Sequence, residues 1–144
     1  MENRFGGNDA STWTNWAGSV TSRPQIWQTP PDPIALARTL DRCVAQGHKL
    51  RVVGAGHSFS PAAATNGALI SLDNFDQLES VEPIPGTDGE YAITVGAGIR
   101  LHALNALLAA HGLAMPNLGD IDPNSVAGAP STGHSSADRS SEPN

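Results

Sequence analysis

The stretch Arg51–Ser60, RVVGAGHSFS, constrains the fold more than any other part of the chain. KLRVVGAG reads as a short β-strand running into two glycines one residue apart, and His57 follows them directly. Gly54 and Gly56 open backbone conformations that residues with a Cβ avoid, so the chain can close tightly around something here. A ring with a nucleophilic nitrogen then stands beside the turn. Taken alone, a histidine after a turn reads as a solvated loop residue. The surrounding sequence decides whether it is more.

TPPDPIALARTLDRCVAQG offers Asp32 as an N-cap, Pro33 at the first helical position and Gly47 just past the end. Leu36, Leu40, Cys43 and Val44 recur at helical spacing and are expected to form one buried face. GALISL, Gly67 to Leu72, reads as a strand buried on both sides. LESVEPI and EYAITVGAG flank the turn sequence PGTDG and predict a hairpin. A second helix follows Gly98, with Leu101, Leu104, Leu107 and Leu108 on its stripe and Gly112 at its end. Asp122 and Pro123 predict one short helical turn over Asn124–Ala127, whose first N–H groups would suit a phosphate. The order of helices and strands is α+β. In WTNWAGSV, Trp13 and Trp16 are too large and apolar to stand in water without a reason. No repeat of solenoid period is visible.

At 144 residues the chain suits one domain, with a core built mostly from Ala, Val, Leu and Ile because aromatics make up only 5%. A net charge of -6 argues against a nucleic-acid partner, which needs a clustered basic face. It leaves room for an anionic cofactor held by backbone N–H groups. One cysteine, Cys43, excludes an internal disulfide framework and points to a reducing, cytoplasmic setting. No stretch has the length and apolarity of a signal peptide or a membrane span.

Three other chemistries fail on context. A dinucleotide fingerprint would need a glycine where Phe59 stands, and SPAAATNGA reads as a loop, not the helix that should receive a pyrophosphate. Asp73 lies at about the right distance to hold a ribose, yet that helix is missing. His48, His57, His102, His111 and His134 show no metal-ligand spacing, and His48, His102 and His111 read as surface residues. GHSFS is not a nucleophile elbow.

TNWAGSV, RVVGAGHSFS and MPNLGDIDPNSVAGAPSTG together resemble the FAD-binding (PCMH-type) domain of the vanillyl-alcohol-oxidase-like flavoproteins, over about Trp13 to Gly133. Within that family the branch of gulonolactone, arabinonolactone and alditol oxidases is most similar. The resemblance implies that Val53, Gly54, Ala55, Gly56 and Ser58 line the FAD pyrophosphate. It implies that His57 is joined covalently to the flavin 8α-carbon, and that Asp120, Ser125, Gly128, Thr132 and Gly133 form a second FAD-contacting stretch. Asp120, a carboxylate, is better suited to ribose or loop backbone than to phosphate. The implied reaction oxidises the CH–OH group of a sugar lactone or polyol, with hydride passing to the flavin and oxygen or another acceptor removing the electrons.

Where the family continues with a T-H-G-[ST]-G run, this chain reads STGHSSADRSSEPN. The expectation is therefore an incomplete domain over 13–133, between disordered segments at 1–12 and 134–144. A substrate (cap) domain, and with it any catalytic base, is missing from this reading. A non-catalytic flavin-binding remnant is the alternative function, and the tail is compatible with either a frameshift or a truncation.

Overall fold

The computed structural model describes residues 12–116 and 122–132. In chain order these form β1 (Trp13–Thr14), β2 (Thr21–Ser22), β3 (Ile26–Gln28), α1 (Pro33–Ala45), β4 (Leu50–Val53), β5 (Ala68–Ser71), β6 (Leu78–Pro83), β7 (Tyr91–Val95), α2 (Leu101–Ala110) and α3 (Gly128–Ser131). The mixture of helix and sheet is the one expected. The ends expected to be disordered lie outside the described residues, apart from Thr12.

β5 is buried at every position, and β3 and β4 pair with it in parallel on either side, with Ala68 opposite both Ile26 and Leu50. β6 and β7 form the expected antiparallel hairpin. The three N-terminal strands were not legible in the sequence. At two or three residues each, they are too short to display a period of two.

α1 starts where the sequence placed it. Asp32 Oδ1 accepts the Ala35 N–H at 2.7 Å, and Gly47 follows the helix at φ +66°. Its buried line differs from the expected one. Thr39 and Cys43 are buried and Leu36 is half-buried, whereas Leu40 is exposed and Val44 is 78% exposed. Thr39 tolerates burial because its hydroxyl donates to Ala35 O at 2.9 Å, so no polar group is left unpaired. On α2 the buried stripe narrows to Leu104 and Leu108, with Leu101 half-buried and Leu107 partly exposed.

Two apolar cores result. Trp13, Val53 and Leu69 form one beneath the glycine turn, with Val20, Trp27 and Ala63 packed on them. Ile99, Leu104 and Leu108 form the other, with Ile93, Val95 and Val126. Close backbone contacts link the segments that carry them. A Cβ at Gly98 would run into Leu72 O and one at Gly96 into Phe75 O, and Gly98 N–H donates to Phe75 O at 2.8 Å. Only glycine permits that approach.

The chain after β7 then carries a second segment alongside. Ala127 N–H donates to Ala97 O (3.1 Å), Val126 N–H to Ile99 O (2.9 Å) and Leu101 N–H to Asn124 O (2.9 Å). This pairing draws Ser125 into an antiparallel bridge with Arg100, so the helical turn expected over Asn124–Ala127 does not form there, although Ala127 already has helical dihedrals. The turn comes four residues later, as α3.

Candidate functional site

The glycine turn and the Ser125–Thr132 segment face each other across one cavity of about 280 Å³. Val53, Gly54, Ala55, Gly56, His57 and Ser58 line it from one side, and Ser125, Gly128 and Thr132 from the other. Every sequence-predicted site residue that is described therefore meets in one place. Asp120 and Gly133 lie outside the described residues.

The turn owes its shape to two devices. Gly56 sits at φ +71°, a conformation that strains any residue with a Cβ. Asn15 holds the turn from behind. It is 4% exposed, its Nδ2 donates to Ser58 O (3.0 Å) and Ser19 Oγ (3.1 Å), and its Oδ1 accepts the Val20 N–H (2.9 Å). The neighbouring Trp16 N–H donates to Gly56 O at 2.8 Å. Two of its carbonyls, Gly56 O and Ser58 O, are thus engaged from outside. Among the described residues, none of the N–H groups of Gly54, Ala55, Gly56, His57 and Ser58 has a hydrogen-bond partner. Five successive N–H groups without partners among the described residues stand beside the cavity, the kind of donor run from which an anion-binding nest can be built.

Gly54 marks where the two walls touch. A Cβ there would collide with Ser125 Oγ, and one at Gly128 would come within 2.8 Å of the same atom. Ser125 Oγ also accepts the Gly128 N–H at 3.2 Å. Ser58 Oγ and Ser60 Oγ are hydrogen-bonded at 2.8 Å.

Sequence reasoning missed two features of the wall. Asp73 lines the cavity and is ion-paired with Arg100, the residue preceding α2. Trp13 Nε1 is a buried donor without a partner among the described residues. The two tryptophans of WTNWAGSV have opposite fates. Trp13 is 1% exposed in the core, and Trp16 is 69% exposed and stacks on the His57 ring. Away from the cavity, His102 Nδ1 lies 3.2 Å from Asp122 O and His111 Nδ1 lies 2.8 Å from Leu107 O, both in exposed positions.

A family model described as "FAD binding domain" matches residues 24–142. The chain is 42% identical over 119 residues to D-arabinono-1,4-lactone oxidase of Yarrowia lipolytica, which covers 82% of this chain and 22% of that protein. It is 33% identical over 120 residues to L-gulono-1,4-lactone dehydrogenase of Mycobacterium tuberculosis, covering 83% and 27%. A crystal structure of cholesterol oxidase from B. sterolicum has a TM-score of 0.68, covering 83% of this chain and 23% of that chain at 20% identity, a likeness of fold. The chain thus spans 22% and 27% of the length of these two curated relatives. No helix among the described residues is long and apolar enough to cross a membrane. The family match runs through both walls of the cavity, and the chain belongs to the FAD-binding domain family, with the PCMH-type fold.

Proposed function

We propose that the cavity holds FAD, that His57 carries the flavin covalently, and that the whole protein oxidises the CH–OH group of a sugar-1,4-lactone or an alditol. The run of five unpaired N–H groups at Gly54–Ser58 carries the reading. A pyrophosphate needs several donors without a full cation, and the unpaired N–H groups of residues lining the cavity supply candidates for them in a chain of net charge -6. The close approach of Gly54 and Gly128 to Ser125 fits a site where backbone, not side chains, meets the ligand. The residues present therefore fit the cofactor that the family name implies.

Bound FAD would supply a two-electron acceptor for hydride from the alcohol carbon. The chain's own part is to grip and orient it. Gly54 to Ser58 would bind the pyrophosphate from one side, and Ser125, Gly128 and Thr132 would close the other, with Asp120 and Gly133 completing that stretch. Ser58 adds a hydroxyl to the backbone donors. The lactone substrate is supported by the names of the two relatives, one an oxidase and one a dehydrogenase, and oxygen or another acceptor would take up the electrons. A cytoplasmic location is supported by the single cysteine, Cys43, a free thiol buried on α1.

The test is a titration of the chain with FAD, followed by denaturation in acid and a measurement of flavin left on the polypeptide. Retention in the parent and loss in His57→Ala supports the linkage. Flavin that binds but washes off completely removes the covalent part, and absence of binding removes the whole reading. Oxidation of gulonolactone, arabinonolactone, xylitol and sorbitol, with oxygen and with an artificial dye, tests the substrate class.

A further inference from the structure

We propose that Trp16 is the positioning residue for His57, fixing the imidazole plane so that a ring nitrogen is offered to the flavin. The inference rests on the reading of His57 as the attachment point. The two rings are stacked, with centroids 5.2 Å apart and planes 22° from parallel. Neither nitrogen of the His57 ring has a hydrogen-bond partner among the described residues. Functional histidines are usually oriented by a bond to the second nitrogen. Among the described residues that bond is absent, and the indole face takes its place.

The indole is also well placed for this task. Its own N–H backbone bond goes to Gly56, the residue before His57, and Asn15 Nδ2 reaches Ser58, the residue after it. Trp16 is therefore tied to the residue before the ring it covers, and its neighbour Asn15 to the residue after it. At 69% exposure it contributes little to core burial, in contrast to Trp13. His57 lines the cavity and Trp16 does not, so the indole backs the imidazole and leaves the cavity side open.

Linkage forms one C–N bond, between an imidazole nitrogen and the 8α-carbon, and breaks one N–H and one C–H bond. Both hydrogens leave as protons, and the electron pair passes through the flavin to dioxygen or another two-electron acceptor. The bond forms only when the nitrogen lies along the approach to the 8α-carbon. An imidazole χ2 is otherwise broad, so an unbacked ring spends less time there. A stacked ring pair alters such a population by about two- to tenfold.

The experiment compares the parent chain, Trp16→Ala, Trp16→Phe and His57→Ala, each incubated with FAD under air. The mass of covalently held flavin is followed over time, and non-covalent FAD affinity is measured separately. The expected result is that Trp16→Ala slows covalent incorporation by about two- to tenfold while affinity stays within about threefold, and that Trp16→Phe restores most of the rate. A second readout needs no flavin. The His57 ring protons should be shifted upfield by the indole in the parent, lose that shift in Trp16→Ala and keep part of it in Trp16→Phe. Trp16→Ala incorporating flavin at the parental rate, or an unshifted His57 ring in the parent, overturns the role of Trp16 alone. A parent that binds FAD and never gains covalent mass overturns the linkage, and this role with it.

Discussion

Replacing Gly54 by alanine probes how the two walls of the cavity meet. The new Cβ would collide with Ser125 Oγ, with Ser125 Cβ at 3.4 Å as the next nearest atom. Ser125 is 3% exposed, and its hydroxyl accepts the Gly128 N–H. Rotating that hydroxyl away relieves the collision only by leaving the N–H unpaired. Overpacking of this kind costs about 1–3 kcal/mol, so we expect Gly54→Ala to lose about 2 kcal/mol. Ser125→Ala removes the hydrogen bond alone, for about 1 kcal/mol. In the double variant the colliding oxygen is gone and the two Cβ atoms sit at an ordinary contact distance. The loss should then be about 1.5 kcal/mol, well short of the sum of roughly 3. Urea unfolding followed by tryptophan emission gives all three values from midpoints at a common slope. Additivity within about 0.5 kcal/mol would refute the packing of Gly54 against Ser125.

Other sites give simpler expectations. Asn15→Ala removes three hydrogen bonds from a buried position and should cost about 2–3 kcal/mol, with a parallel loss of FAD affinity because Ser58 is unpinned; a melt unchanged from the parent would contradict this. Asp73→Asn leaves the Arg100 guanidinium without its ion-pair partner and should cost about 1 kcal/mol, since both side chains are partly solvated; the difference from the parent should shrink in high salt. Asp32→Ala removes the α1 cap and should cost about 1 kcal/mol by urea unfolding, with no change in FAD affinity.

Local signals carried what the sequence revealed. Asp32, Pro33 and Gly47 bounded α1 correctly because capping is decided within one turn of the chain. The face of α1 was read less well, because Thr39 hides its polarity in a bond to its own helix while Val44 stays in solvent. At the site, the glycine turn was legible from Gly54 and Gly56. Asn15, Asp73 and Arg100 were not recognised as part of it, since their partners lie far away in sequence. The only available hint for Asn15 was its place between two tryptophans in WTNW. The helical turn was misplaced by the same mechanism. Its apparent cap, Asp122, lies in a segment already bonded to the residues around Ile99.

The parallel pairing of β5 with both β3 and β4 carries a consequence for the order in which the chain assembles. Neither neighbour can dock by a short hairpin, because α1 and β4 separate β3 from β5 in sequence and the glycine turn separates β4 from it. The opposite wall of the cavity arrives later still in the chain, after β6, β7 and α2. A nucleotide therefore meets its complete cradle only once the long-range closures are made. It cannot act as a template for them. Added FAD should leave the refolding rate almost unchanged and slow unfolding instead, so cofactor loading would act on this domain as a latch rather than a nucleus.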